Sequence, residues 1–245
     1  MAGRHPRYGR DEVLGLARRV VSGHTRAQLG LPAAPAPPAP ASVDGVLALA
    51  ERHWGLRWDG LTPLIDPDLT LAAWATAVDR VLDVASRGGR LIFATGRPAS
   101  LLPLYQQVAG LATAAGGEVL ADAESPPFPP GARRTPTARR IRWFGGVAVV
   151  TDGRSLLADD AVEAARELFF HLPRPDLVVA DHGFAGVAVA IEVETVAIAD
   201  LDALAFGLVV DEGLPVTLVP CTDTQAPSAY ECLAELARRV SYDKE

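Results

Sequence analysis

The spacing of hydrophobic residues changes near residue 90 of this chain. Before that point apolar residues recur every three or four positions, as in residues 11–22, and this spacing predicts helices. From residue 90 onward, short apolar runs alternate with helical stretches. Such alternation is typical of β-α-β units, in which consecutive strands lie parallel in one sheet.

The same pattern predicts the positions of the individual elements. Strands are predicted at residues 91–94, 118–121, 140–144, 147–151, 177–180, 195–199 and 216–219. Helices are predicted at residues 11–22, after a cap at Ser42, after a cap at Asp68 or Thr70, at 100–115, from a cap at Asp159 to 171, and at 184–191, 201–211 and 228–240. We therefore predict an α/β fold: a Rossmann-like open, mostly parallel sheet flanked by helices, with a helical N-terminal appendage.

A proline- and alanine-rich stretch, residues 31–40, separates the first predicted helix from the rest of the chain. So many prolines exclude a helix or a central strand and favour a semi-rigid linker. The predicted organisation is an N-terminal helix with its linker over residues 1–41, followed by a single α/β domain over residues 42–245.

Charge is distributed unevenly along the 245 residues. Residues 151–245 contain 18 acidic and 6 basic residues, a net charge of −12, which leaves +5 of the total −7 for residues 1–150. An acidic C-terminal half argues against nucleic-acid binding, which needs a basic surface. The arginines of residues 133–142 are interpreted as a solvated loop or, alternatively, as a patch for phosphate or an acidic partner.

We expect neither a secretory signal nor a membrane-spanning segment in this chain. No apolar stretch approaches the roughly 20 residues that span a bilayer, and the first residues lack the apolar core of a secretory signal. Cys221 and Cys232 have neither metal-ligand spacing nor a disulfide framework. We therefore expect a cytoplasmic protein with no membrane partner, and the sequence leaves a homodimer open.

The end of the predicted strand 91–94 carries the run Thr95-Gly96-Arg97-Pro98. Glycine lets a ligand approach the main chain, and proline suits the first turn of a helix, whose N–H groups attract an anion. The Arg97 guanidinium matches two phosphate or carboxylate oxygens. Thr95, Gly96 and Arg97 are therefore a candidate phosphate-binding cradle, although a capped turn with a surface arginine explains the same run.

A second strand, 177–180, ends in Asp181-His182-Gly183. A carboxylate in this position can hold a metal or orient a water, and histidine can transfer a proton near neutral pH. Asp181 and His182 are the candidate catalytic residues, and Gly183 is a further candidate for phosphate binding. The alternative is that Asp181 caps the following helix while His182 makes a structural hydrogen bond.

Other acidic residues also follow predicted strands. They include Asp152, Asp200 with Asp202, and the run Cys221-Thr222-Asp223-Thr224. Asp181, Asp152 and Asp200 are the candidate ligands for Mg²⁺ or another divalent cation, because carboxylates at one sheet edge suit such an ion. Aspartate is also common in caps and turns, so a structural role stays open for each.

The chain has no Gly-x-Gly-x-x-Gly fingerprint, no P-loop and no Gly-x-Ser-x-Gly elbow. We therefore expect no nicotinamide or flavin cofactor. The run 66–70 superficially resembles the nucleophile loop of haloacid-dehalogenase-type phosphatases. However, Pro63 and Pro67 flank the short apolar pair before it, and the only lysine is Lys244.

From residue 90 to 230 the chain resembles a family of actinobacterial phosphatase-like proteins. The residues that carry the resemblance are 94–98 with Leu101, Leu102 and Tyr105, Asp152-Gly153, 177–186, Ala199-Asp200, and Pro227 with Tyr230. This chain departs from the family pattern at residues 156–159, where the family carries histidines, and at 200–203 and 222–224, where an asparagine-bearing loop is expected.

The resemblance implies a phosphoric monoester hydrolase, with metal assistance open, that acts on a small phosphorylated molecule. In this hypothesis Thr95, Gly96 and Arg97 hold the phosphate, Asp181 binds metal or orients water, and His182 protonates the leaving oxygen. The alternatives are a non-catalytic module that binds a phosphosugar or nucleotide, and an isomerase of phosphosugars. All of them require the two strand ends to be neighbours.

Overall fold

The computed structural model describes residues 3–4, 7–33, 42–121, 139–158 and 161–244. The strands are β1 (Gly3–Arg4), β2 (Arg57–Asp59), β3 (Thr62–Ile65), β4 (Arg90–Thr95), β5 (Glu118–Val119), β6 (Arg140–Phe144), β7 (Val147–Thr151), β8 (Leu177–Asp181), β9 (Thr195–Ala199) and β10 (Val216–Pro220). The helices are α1 (Arg10–Val21), α2 (His24–Leu29), α3 (Val43–Trp54), α4 (Pro67–Ser86), α5 (Pro98–Ala114), α6 (Val162–His171), α7 (His182–Ala190), α8 (Ala205–Asp211) and α9 (Glu231–Tyr242). Two 3₁₀ helices span Leu201–Ala203 and Pro227–Tyr230.

The larger sheet runs in the order β10-β9-β8-β4-β7-β6, with β5 paired to the start of β4. All neighbours in it are parallel except β6 and β7, which form the predicted hairpin through Gly145-Gly146. The prediction of a Rossmann-like, mostly parallel sheet is confirmed. Because the strands are parallel, the carboxyl ends of β4, β7, β8, β9 and β10 lie along one edge, where ligands bind in such sheets.

Both faces of this sheet are buried. Along β4, Ile92 and Ala94 belong to one hydrophobic cluster, while Leu91 and Phe93 belong to the other. Successive side chains of a strand point to opposite faces, so a strand covered on both sides has an unbroken apolar sequence. This burial explains why the strands were visible in the sequence as continuous apolar runs.

The N-terminal helices pack against the same core as the α/β unit. Val13 and Val20 of α1 share a cluster with Phe184 of α7 and Phe206 of α8. A smaller antiparallel sheet has the strand order β1-β3-β2. Along the chain, β1 precedes α1, and β2 and β3 come between α3 and α4. The expected linker falls mostly in residues 34–41, outside the described residues, so the boundary at residue 41 stays a prediction.

Two predicted caps can be compared with the structure. Ser42 caps α3 as expected, since its hydroxyl accepts a hydrogen bond from Gly45 N at 3.1 Å. The expected cap of α4 at Asp68 or Thr70 is wrong, because Asp66 accepts the bond from Asp68 N at 3.0 Å. Thr70 instead donates its hydroxyl to Pro220 O at 2.6 Å, which ties α4 to the carboxyl end of β10.

Several other boundaries also differ from the predicted ones. The strand expected at 118–121 is shorter, the helix expected at 201–211 is divided at Leu204, and α7 begins two residues before the expected residue 184. The predicted cap Asp159 lies outside the described residues. In the part of the chain that is described, none of the helices combines the length and the apolar character that crossing a bilayer requires.

Candidate active site at the carboxyl edge of the sheet

Strands β4 and β8 are direct neighbours, with Ala94 paired to Ala180. Their carboxyl ends therefore bring Thr95-Gly96-Arg97 next to Asp181-His182. The adjacency on which the functional hypotheses depend is present in the structure. Asp200 and Asp202 follow β9, and Asp223 follows β10, so these loops reach the same edge.

Asp181 is fully buried and its carboxylate is held by the first loop. Its Oδ2 accepts a hydrogen bond from the Thr95 hydroxyl at 2.5 Å, and its Oδ1 accepts one from Gly96 N at 2.8 Å. Burial raises the pKa of Asp181, although the charges of His182 and Arg97 and the Thr95 hydrogen bond oppose that rise. The predicted anion cradle thus binds a carboxylate of the protein itself.

The Thr95 hydroxyl also fixes the position of Arg97. The Thr95 hydroxyl oxygen accepts a hydrogen bond from Arg97 N at 2.9 Å. The hydroxyl proton is therefore directed towards Asp181. Pro98 then begins α5, two residues before the predicted start at residue 100, and lies in the first turn of the helix as expected for this proline. Thr95, Gly96 and Asp181 therefore form a buried support for Arg97, and their polar atoms already have protein partners.

His182 lies at the turn between β8 and α7 in a strained backbone conformation. Its φ is +44°, in the left-handed region that residues other than glycine rarely adopt. Such a conformation costs on the order of 1–3 kcal/mol and is found preferentially at functional sites. The side chain is only 3% exposed. Gly183 is buried directly after it in the first turn of α7.

The two ring nitrogens of His182 face different partners. Nε2 is hydrogen-bonded to Asp223 Oδ2, and Nδ1 lies 3.3 Å from Arg97 Nη2. Burial lowers the pKa of His182, but the hydrogen bond and charge of Asp223 outweigh it and raise the pKa to about 9. In turn, the bond from His182 holds the pKa of Asp223 below its ordinary value despite the raising effect of burial.

Arg97 is surrounded by acidic groups and is 14% exposed. Its Nε lies 3.6 Å from Asp223 Oδ2, and its Nη2 lies 3.9 Å from Asp202 Oδ2. These distances allow charge attraction but exceed the 2.7–2.9 Å of a direct charge-assisted hydrogen bond. The guanidinium is therefore attracted by both carboxylates without a tight bidentate contact to either.

Two carboxylate oxygens in this cluster lack hydrogen-bond partners. Oδ1 of Asp202 and Oδ1 of Asp223 are buried and unsatisfied within the residues that the structure describes. His182, Asp202 and Asp223 each offer a ligand atom, and these atoms lie within 4.8 Å of one another. Imidazole and carboxylate are suitable ligands for a divalent cation, so this triad is a possible metal-binding group.

The metal ligands expected from the sequence are placed differently. Asp181 is held by Thr95 and Gly96, and Asp200 Oδ1 accepts from Leu201 N at 2.6 Å at the start of a 3₁₀ helix. Asp152 is also absent from the triad. It binds the N–H groups of residues 154 and 155, at 2.8 Å each, in the turn after β7.

Residues outside the expected set complete the surroundings of the cluster. Tyr8, ahead of α1, lies close enough that burial and the charges of Asp202 and Asp200 raise its pKa well above the ordinary range. The Tyr230 hydroxyl donates to Thr222 O at 2.8 Å, which holds the loop that carries Asp223. The sequence had shown the strand-end position of Asp223 but gave no sign that it faces His182.

Fold and site together define an α/β protein whose candidate ligand site lies where the loops after four strands of an open sheet converge. The chain belongs to the family described as Phosphatase, whose model matches residues 2–240. It is also 34% identical, over 171 residues, to "Phosphatase SCO2771" of Streptomyces coelicolor, and the match covers 68% of this chain. The match spans 62% of that relative, less than two thirds of its length. The resemblance to actinobacterial phosphatases is confirmed.

Proposed function

We propose that the chain hydrolyses a small phosphate monoester at the Arg97-His182-Asp223 cluster. The observation that carries the proposal is the meeting of Arg97 and His182, from two different strand ends, at 3.3 Å. A cationic fork and an imidazole side by side supply both an anchor for phosphate and a group for proton transfer. The family and the relative described as a phosphatase support the same reaction class.

Phosphate binding is assigned to Arg97. Its present contacts with Asp202 and Asp223 are 3.9 and 3.6 Å long, so they are weaker than the bidentate pair that a phosphate dianion forms. Thr95, Gly96 and Asp181 act as positioning residues, because they hold the backbone from which Arg97 projects. Gly183 allows the first turn of α7, with its N–H groups, to approach the same anion.

His182 is assigned as the proton donor. Asp223 binds Nε2 and thereby orients the ring, so that Nδ1 faces Arg97 and the phosphate that it holds. In the reaction a water oxygen bonds to phosphorus while the bond from phosphorus to the ester oxygen breaks. In the present contact Nδ1 can only accept from Arg97 Nη2, because a guanidinium has no acceptor. Once Arg97 has turned to the phosphate, Nδ1 carries the second proton of the imidazolium, and the leaving oxygen takes that proton. The attacking water gives up one proton to the solvent or to Asp202.

A divalent cation, Mg²⁺ or another, is the proposed assistant, and His182, Asp202 and Asp223 are the residues that would hold it. When bound, it would neutralise charge on the phosphate. A histidine nitrogen that binds a cation does not donate a proton from the same atom. Cation-dependent and cation-independent hydrolysis are therefore alternatives. A chelator distinguishes them, because it abolishes only the cation-dependent reaction.

A phosphate-release panel tests the proposal. Small phosphate monoesters are incubated with the protein in Mg²⁺, in Mn²⁺ or in chelator, and inorganic phosphate is measured. We expect release by the natural sequence and a loss of about 10²- to 10⁴-fold in kcat/KM for His182→Gln, because the proton donor is removed. Asp152→Asn removes a carboxylate outside the cluster. Its kcat/KM should stay within about twofold of that of the natural sequence, because substitutions away from a site usually have small effects.

Two results would contradict the proposal. Full activity of His182→Gln would exclude His182 from the reaction. Stabilisation of the protein by phosphorylated ligands without phosphate release, under every cation condition, would instead support the non-catalytic binding module. That module needs Arg97 but has no use for the His182-Asp223 pair.

A further inference from the structure

The Arg97 guanidinium lies against all three residues of the possible metal-binding group. It is 3.3 Å from His182 Nδ1, 3.6 Å from Asp223 Oδ2 and 3.9 Å from Asp202 Oδ2. Those three side chains offer ligand atoms within 4.8 Å of one another. The positive charge of Arg97 is therefore placed where a divalent cation would be attracted.

The carboxylates are not fully satisfied by this arrangement. Asp223 is completely buried, yet its Oδ1 has no hydrogen-bond partner among the described residues, and the same is true of Asp202 Oδ1. An unsatisfied buried carboxylate oxygen is costly, so a group that binds it is expected. Arg97 compensates the charge of these carboxylates but leaves both Oδ1 atoms without a donor.

We propose that Arg97 occupies the cation site formed by His182, Asp202 and Asp223, and that a divalent cation displaces it. Arginine and cation cannot share the cluster, because like charges a few ångströms apart repel each other strongly where burial limits screening. A ligand set of one imidazole and two carboxylates suits Mn²⁺ better than Mg²⁺, which prefers oxygen ligands and retains its waters.

The displaced arginine has a use at the same site. Once Arg97 leaves Asp202 and Asp223, its guanidinium can turn towards an incoming phosphate. Cation and phosphate then bind with positive coupling. The cation releases Arg97 from the carboxylates so that it can bind the phosphate, and the phosphate draws Arg97 away from the carboxylates that the cation needs. This last step rests on the proposed function, whereas the exchange between Arg97 and the cation does not.

Direct measurement of Mn²⁺ binding tests the exchange without reference to turnover. Free Mn²⁺ is followed by electron paramagnetic resonance during titration of the natural sequence, Arg97→Met, Asp223→Asn and the control Arg57→Met. Arg57 is an exposed arginine paired with Asp66, so its substitution makes the same change in net charge elsewhere. We expect Arg97→Met to bind Mn²⁺ at least about tenfold more tightly, about 1.4 kcal/mol, than the natural sequence and the control. Asp223→Asn should lose the site.

A second measurement uses the natural sequence and does not depend on the folding of a variant. Phenylglyoxal modifies accessible arginines, and mass spectrometry measures its adduct on Arg97, whose side chain is 14% exposed. Mn²⁺ should increase the modification of Arg97 several-fold and leave that of Arg57 unchanged.

Three results would overturn the exchange. They are undetectable Mn²⁺ binding in both the natural sequence and Arg97→Met, unchanged or weaker binding in Arg97→Met, and unchanged or reduced modification of Arg97 in Mn²⁺. Absence of phosphate release in the panel, together with the expected Mn²⁺ results, would remove the proposed function and leave the exchange intact.

Discussion

Gly186, in the middle of helix α7, leaves no room for a side chain. A Cβ atom at this position would lie 1.9 Å from the carbonyl oxygen of Leu29, the last residue of α2. That is more than 1 Å inside the 3.0 Å below which real Cβ contacts essentially never fall. The obstructing atom belongs to the backbone, so Gly186→Ala requires α2 to move away from α7.

The size of the effect follows from two opposing contributions. Overpacking usually costs about 1–3 kcal/mol, and the upper end applies here because a helix must shift and not only a side chain. Alanine is favoured over glycine within a helix by about 1 kcal/mol. We therefore expect Gly186→Ala to lower the free energy of unfolding by about 2 kcal/mol. For a chain of this length the midpoint of thermal unfolding should fall by about 4–8 °C.

Gly110→Ala is the matched control. Gly110 lies within helix α5, where a Cβ would meet nothing within 4 Å. Its substitution should raise the midpoint by about 2–4 °C, since only the helix preference acts. Thermal unfolding followed by circular dichroism measures both variants. Equal midpoints for Gly186→Ala and Gly110→Ala would refute the close packing of α2 on α7.

Two further predictions concern buried groups near the cluster. Thr95→Val should lower the free energy of unfolding by about 3 kcal/mol in chemical unfolding, because a buried oxygen of Asp181 loses its donor. The control Thr113→Val, at an exposed helix position, should change the free energy of unfolding by less than about 0.5 kcal/mol. A thiol reagent should label Cys232, which is exposed, in the native protein and Cys221, which is buried, only after unfolding. Equal stabilities of the two threonine variants, or rapid native labelling of both thiols, would contradict the described packing.

The sheet was predictable from the sequence because its strands are buried on both faces. Residues 196–199 form an unbroken apolar run after Thr195, and the structure has the predicted strand at Thr195–Ala199. The hairpin at Gly145-Gly146 was predictable for a local reason, since both glycines adopt the positive φ that a tight turn requires. Local patterns of this kind do not depend on which strands become neighbours.

The partners within the site were less predictable, because they depend on strand order. Asp181 and His182 are adjacent in the sequence, which suggests a single catalytic pair, yet they face different groups. Asp181 binds Thr95 and Gly96, whereas His182 binds Asp223, which is 41 residues away on the far side of β9. Several acidic strand ends fit the pattern equally well, and only the order of β8, β9 and β10 selects among them.

The most direct test of the account is a crystal structure with tungstate, a phosphate-sized oxyanion whose tungsten is located by anomalous scattering. We predict that tungstate binds at the carboxyl edge of the sheet within hydrogen-bond reach of the Arg97 guanidinium and His182 Nδ1. The contact between Arg97 and Asp223 should lengthen as the guanidinium turns to the anion. Tungstate bound elsewhere, with Arg97 unmoved against Asp223, would contradict the assignment of this cluster as the phosphate site.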